Sequence, residues 1–323
     1  MQTLIKNTRA YQLLRAERDK QRLKHAYLVK FDDGKNLRSA LKSFAKLLFD
    51  CDRLQSSRIA DLIDAETFSD CLFYPADGER FVVEDAERLT EESTLQAVEG
   101  EKKVFVIGDF AQATVAAQNK LLKLLEEPPE GVIFLLGATT VFPVLPTVLS
   151  RVEKLEILPF DTPQILSCLS RSYTDDRYSH TDFELCAAAS GGCVGTAQSL
   201  LEGGDFHSLL SDAFSLCLAQ RYELPILCKK IGEAKRKKEF LSLLRILFRD
   251  ALVLSANLNE KEVFLRGERK KLFKITQLYS PAALLYAQTL LTNAEQQLFF
   301  NTVFPQCIEV LFAKLCEKRE QNE

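Results

Sequence analysis

Residues 103–151 read KVFVIGDFAQATVAAQNKLLKLLEEPPEGVIFLLGATTVFPVLPTVLSR. Two short apolar runs stand out, Lys103–Ile107 and Val132–Gly137. Continuous runs of this length and composition predict strands buried on both faces. Between them Ala117, Leu121, Leu124 and Leu125 recur at helical spacing, and Thr114 is placed to cap the helix start. Pro128 and Pro129 end the helix, because proline supplies no N–H and disfavours helical geometry in the residue before it. A strand–helix–strand unit with such ends predicts a parallel sheet covered by helices.

Working outward, Ala26–Lys30 (AYLVK) is a third strand, and residues 1–160 alternate β-rich and helical stretches. Residues 161–205 turn helical around Ser190-Gly191-Gly192-Cys193-Val194-Gly195, a tight connection between two packed helices. From 206 to 323 three apolar stripes predict an all-helical region. The stripes are Phe206, Leu209, Leu210, Ala213, Phe214, Cys217; then Phe240, Leu243, Leu244, Leu247, Phe248, Ala251; then Ile308, Leu311, Phe312, Leu315. The polar tail after Lys318 is expected to fray. A chain of 323 residues exceeds what one core usually supports. The expected fold is α/β plus all-α, in domains 1–160, 161–205 and 206–323.

Hydrophobic residues make up 46% and charged residues 27%, an ordinary soluble balance, and 42 basic against 45 acidic residues leave a net charge of −3. A protein that held DNA alone would carry a basic excess to displace counterions, so a protein partner is expected first, with nucleic acid met as part of an assembly. The nine cysteines are scattered, odd in number and without a C-x-x-C pair, and they read as small buried hydrophobes rather than a zinc or disulfide set. The N-terminus lacks the apolar core of a signal peptide, and no stretch nears the roughly 18 apolar residues of a membrane helix. A cytoplasmic protein is expected, with no membrane contact.

The block from Lys103 to Arg151 resembles the second half of the AAA+ ATPase module in the clamp-loader subunits of bacterial DNA polymerase III. Ala117, Asn119, Leu121, Leu122, Lys123, Leu125, Glu126, Glu127, Pro128 and Pro129 match the family's A-x-N-x-L-L-K-x-L-E-E-P-P helix. Leu145, Pro146, Thr147, Leu149, Ser150 and Arg151 match its closing L-P-T-I-L-S-R-C. His25-Ala26-Tyr27-Leu28 resembles the strand that enters the phosphate loop, and Asn301 through Leu315 resembles the last collar helix. The resemblance implies an AAA+-like αβα domain with a parallel sheet, a small helical lid domain and a C-terminal helical collar domain.

The departures point to the family's delta prime type. Where a Walker A loop GxxxxGK[ST] wraps phosphates, this chain has Val29-Lys30-Phe31-Asp32-Asp33-Gly34-Lys35-Asn36. Gly34 and Lys35 are a remnant, Asn36 replaces the Mg²⁺-binding hydroxyl, and Asp32 and Asp33 are expected to point where phosphates would lie. At Walker B, Gly108 takes the metal-binding position and Asp109 alone stays acidic. The lid sensor arginine falls near Thr196, and Cys51 and Cys71 are the only cysteines where relatives carry four zinc ligands. No cofactor and no metal are therefore expected.

Arg151 reads either as a surface arginine after a short helix or, within its motif, as an arginine finger toward a neighbouring subunit's ATP. Ser150 would orient it or cap a turn. Lys123, Glu126 and Glu127 are candidate interaction groups against the plainer reading of a solvated helix end. The basic runs Lys229-Lys230 and Lys235-Arg236-Lys237-Lys238 are candidate DNA contacts, with Glu233 and Glu239 beside them. The resemblance implies a non-hydrolysing component of the DNA polymerase III holoenzyme, with gamma/tau-like and delta-like subunits, the sliding clamp and primer-template DNA as partners. Its rivals are an active loader ATPase and a stand-alone adaptor.

Overall fold

The computed structural model describes all residues except 54–56, 175–176, 205, 233–235, 257–262, 300–301 and 321–323. The chain divides into two compact units, Met1–Pro159 and Phe160–Glu323.

The first unit runs α1 (Gln2–Lys6), α2 (Arg9–Asp19), β1 (Ala26–Phe31), α3 (Leu37–Leu48), α4 (Ser57–Asp64), β2 (Cys71–Tyr74), α5 (Val83–Ser93), β3 (Lys103–Asp109), α6 (Val115–Glu126), β4 (Val132–Ala138), α7 (Pro146–Leu149) and β5 (Glu153–Ile157). Its five strands form one parallel sheet in the order β2-β3-β4-β1-β5. This is the expected αβα domain. Each of the three expected strands runs one or two residues further than its apolar run, because Phe31, Asp109 and Ala138 still pair or pack at the sheet's end.

Inner strand β4 is buried along its whole length, as its continuous apolar run requires, whereas edge strand β5 alternates buried and exposed residues. Phe105 and Phe134 are register partners whose rings stack 5.7 Å apart. Strand residues Leu28, Phe105 and Phe134 share one core with Leu89 of α5 and Leu121 and Leu125 of α6. Burying each such side chain contributes about 1.5–3 kcal/mol. Residues of α1–α3, among them Ile5, Tyr11, Leu41 and Phe44, are also fully or almost fully buried, with Tyr11 edge-on to Phe44. Thr114 caps α6 through Ala117 N–H at 3.2 Å, and the helix ends at Glu126, before the two prolines.

The second unit is helical among its described residues: α8 (Thr162–Ser172), α9 (His180–Ala189), α10 (Val194–Glu202), α11 (Phe206–Leu218), α12 (Leu224–Gly232), α13 (Lys237–Ser255), α14 (Arg269–Leu278), α15 (Pro281–Phe299) and α16 (Phe304–Glu320). Gly191 and Gly192 make the turn between α9 and α10 at φ of 61° and 90°, values that suit glycine. Helix α13 is central, packing on α9, α10, α11, α14 and α15. All three predicted stripes are buried. The end of α13 is fixed by Asp250, whose fully buried carboxylate accepts the N–H groups of Phe264 and Leu265 at 2.9 and 2.8 Å.

The tail departs from expectation: α16 stays helical through Glu320, past Lys318, and 321–323 lie outside the described residues. Asn301 also lies outside them, and the last helix begins at Phe304. No helix among the described residues is long and apolar enough to cross a membrane.

Candidate functional site

In a parallel sheet of this kind ligands meet the carboxyl ends of the strands. Here β4 lies between β1 and β3, with Lys30 opposite Ala138 and Asp109 opposite Gly137. The turn after β1, the Gly108-Asp109 end of β3 and Thr139 after β4 therefore converge. A methyl group on Gly34 would sit 3.3 Å from the Thr139 methyl.

The turn at 33–36 is closed by its own carboxylate. Asp33 is 1% exposed; its Oδ1 accepts the Asn36 N–H at 3.2 Å and its Oδ2 accepts the Asn36 side-chain amide at 2.9 Å. The start of α3 thus has an anion supplied from within the chain. The expectation that both aspartates face the phosphate position needs correction. Asp32 is exposed and pairs with Lys30 at 3.3 Å, while Asp33 turns inward because Asn36 offers it two donors. Gly34 and Lys35 are exposed.

At β3 the Gly108 position lies beside a cation. Arg38, from the first turn of α3, brings Nη1 to within 3.8 Å of where a Gly108 side chain would begin. Its fork pairs with both Glu66 oxygens at 2.7 and 2.5 Å, and Nη1 donates to the Pro75 carbonyl at 3.1 Å. Lys42 adds a second cation on Glu66 at 2.9 Å, and both cations lie over the Phe73 ring. The Arg38 hydrogen bonds, with Lys42 behind them, hold the Glu66 carboxyl below the usual range against the opposing effect of burial. Asp109 is also engaged, accepting from Thr139 N–H, Thr139 hydroxyl and Gln112 Nε2 at 3.0, 2.8 and 3.0 Å.

The other candidate, Arg151, follows α7. Its Nη1 donates to the Thr147 carbonyl at 2.8 Å and to Ser150 Oγ at 3.0 Å, and Nη2 pairs with Glu126 Oε1 at 2.5 Å. Ser150 both accepts from the guanidinium and donates to Thr147 O. Lys123 and Glu127 are exposed at the end of α6. The loop before α7 is tied to α6 by Gln118, which donates to the carbonyls of Ala113 and Pro143 and accepts the Leu145 N–H at 2.9 Å. His25 Nε2 donates to the Leu125 carbonyl at 3.0 Å, joining the entry of β1 to the same helix.

Residues 6–161 match the family model described as DNA polymerase III, delta subunit. The match takes in nearly the whole N-terminal unit, which is therefore similar to the DNA polymerase III delta subunit family. The chain is 28% identical over 197 residues to DNA polymerase III subunit tau of Escherichia coli, covering 56% of this chain and 29% of that protein. It is 29% identical over 161 residues to subunit delta' of Bacillus subtilis, 49% of each chain. It thus spans under a third of the tau relative and about half of the delta' relative. A solved gamma-subunit-related protein from Thermotoga maritima aligns over 98% of both chains at 16% identity, with a TM-score of 0.40.

Within this family frame the remaining sequence candidates are spread out. Thr196 lies in the first turn of α10 in the second unit. Lys229 and Lys230 end α12, with Lys230 paired to Asp212 at 3.1 Å; Arg236 precedes α13, Lys237 and Lys238 open it, and Glu233 and Lys235 lie outside the described residues. Seven of the nine cysteines are buried, and the described residues hold no cluster of acidic, His or Cys side chains suited to a metal. Sequence reading passed over Arg38, Glu66 and Gln118. For Gln118 a signal existed: an amide at the helical spacing of Leu121 and Leu125, in the apolar stripe of the motif helix.

Proposed function

We propose that this chain is the non-hydrolysing, delta-prime-like subunit of a bacterial DNA polymerase III sliding-clamp loader. It catalyses nothing itself and contributes Arg151 as an arginine finger to the ATP of a neighbouring subunit. The lid and collar divisions at 161–205 and 206–323 belong to this reading, with the collar joining gamma/tau-like and delta-like subunits. The assembly opens the sliding clamp and places it on primer-template DNA in the cytoplasm.

The observation that carries the reading is the Asp33 carboxylate at the start of α3. A phosphate loop works because backbone N–H groups and the helix start are open to an anion. Here the buried Asp33 carboxylate already accepts the Asn36 N–H that such a loop would leave open to an anion. Asn36 offers an amide where a metal-binding hydroxyl is needed, and Arg38 puts a guanidinium beside Gly108. These residues do not fit a Mg²⁺–nucleotide.

Calorimetric titration of the purified chain with ATP and Mg²⁺ tests this. No binding is expected. A micromolar dissociation constant, about −8 kcal/mol, would favour an active loader ATPase. Absence of any loader subunit in pull-downs would favour a stand-alone adaptor.

A further inference from the structure

We infer that Glu126 is a positioning residue for Arg151, ordering the guanidinium at the edge of the N-terminal unit for the anion it meets there. The inference rests on the arginine-finger reading of Arg151 and adds a residue to that function.

The contacts of Arg151 divide into two kinds. Thr147 O and Ser150 Oγ lie within four residues of it and travel with the short helix α7. They hold the guanidinium to α7 alone, which buried Val148 anchors to the core. Glu126 adds a tie from a second element, α6, whose cap at Thr114 and buried Leu121, Leu124 and Leu125 anchor it to the sheet. One fork is thereby held from two elements.

The position of Glu126 has a cost that the pair offsets. A carboxylate in the last turn of a helix faces the negative end of the helix dipole. Glu126 is the final residue of α6, and Pro128 and Pro129 fix that end. Of the adjacent Glu126 and Glu127, Glu126 is the one paired with Arg151.

The pair is 34% and 49% exposed. An ion pair so open to water adds little to stability, so its loss is read in function rather than folding. An arginine side chain carries large rotamer entropy, and a fork pre-ordered in the resting chain loses less on meeting phosphate. The carboxylate also offsets part of the positive charge, which works against the finger. Ordering and neutralisation therefore predict opposite outcomes when Glu126 is removed, and the assigned role is ordering.

Two variants separate them. Glu126→Gln keeps an acceptor and removes the charge; Glu126→Ala removes both. In the isolated chain, nitrogen relaxation of the Arg151 side-chain Nε–H, assigned by its loss in Arg151→Lys, should report an ordered group in wild type and Glu126→Gln and a mobile one in Glu126→Ala. In reconstituted loader, Glu126→Ala should lower DNA- and clamp-stimulated turnover by roughly tenfold or less, with half-saturating ATP and assembly unchanged. Glu126→Gln should restore most of it, and Glu126→Ala should add nothing to Arg151→Ala. Equal Arg151 mobility in wild type and Glu126→Ala, or higher turnover in Glu126→Ala, overturns the inference. If Arg151→Ala itself leaves turnover unchanged, the finger reading fails instead, and the relaxation data still report whether Glu126 orders the guanidinium.

Discussion

Thr139 gives Asp109 two hydrogen bonds, its backbone N–H to one carboxylate oxygen at 3.0 Å and its hydroxyl to the other at 2.8 Å. The end of β3 is thereby joined to the residue that follows β4, and Asp109 acts as a strut between them.

Asp109→Ala should therefore behave as a stability mutation. It removes three partly exposed hydrogen bonds, one of them from a backbone N–H, and should cost about 1–2 kcal/mol. Thr139→Val, which keeps the backbone bond, should cost less. Urea unfolding of the two variants checks the order; an Asp109→Ala variant as stable as wild type would remove the strut.

The Arg38–Glu66 pair predicts a pH dependence. Glu66 is depressed first by its hydrogen bonds from Arg38. A carboxyl lowered in the fold contributes stability that is fully present above its unfolded value of about 4.3 and is lost as pH falls through its folded value. The advantage of wild type over Glu66→Gln should thus be present at pH 7 and close in the acid range below that value. Denaturation midpoints of both proteins across that range measure it, and a gap that widens in acid would contradict the assignment.

Gly131 opens β4 at φ of +75°, and a methyl group there would lie 2.7 Å from the Glu101 carbonyl oxygen. Backbone cannot move aside as a side-chain tip can. Gly131→Ala should destabilise the protein by about 2–4 kcal/mol from left-handed strain and overpacking together. Thermal or urea unfolding gives the figure.

Ile226 of α12 is 76% exposed, and Tyr222, four residues before it, is also exposed. If the second unit joins neighbouring subunits through its apolar helix faces, Ile226→Asp should weaken co-elution with gamma/tau-like and delta-like subunits. Its circular dichroism should stay that of wild type. Undiminished co-elution would move the contact elsewhere.

The sheet was legible because β3 carries the apolar run Val104–Ile107, β4 is apolar along its length, and α6 has its start and stop in Thr114 and the two prolines. The helical stripes were legible for the same periodic reason. Asp33 was expected to point where phosphates would lie; it is buried instead, its direction set by the two donors of Asn36. Arg38 and Glu66 lie 28 residues apart and share no local pattern, so only the folded chain brings them together beside Gly108. Likewise Glu126 read as a solvated helix end until α7 brought Arg151 against it.

On the proposed function, a chain without a usable nucleotide site completes a neighbour's. Steady-state ATPase of loader reconstituted with Arg151→Ala tests it most directly, beside wild type and Arg151→Lys, with assembly confirmed by co-elution. An arginine finger in general changes rate by roughly 10³–10⁵, and the loss here should be smaller because other subunits would carry their own. Reduced DNA- and clamp-stimulated turnover is expected in Arg151→Ala, with poor rescue by Arg151→Lys, whose point charge lacks the planar fork. Unchanged turnover in fully assembled Arg151→Ala loader would contradict the proposed function.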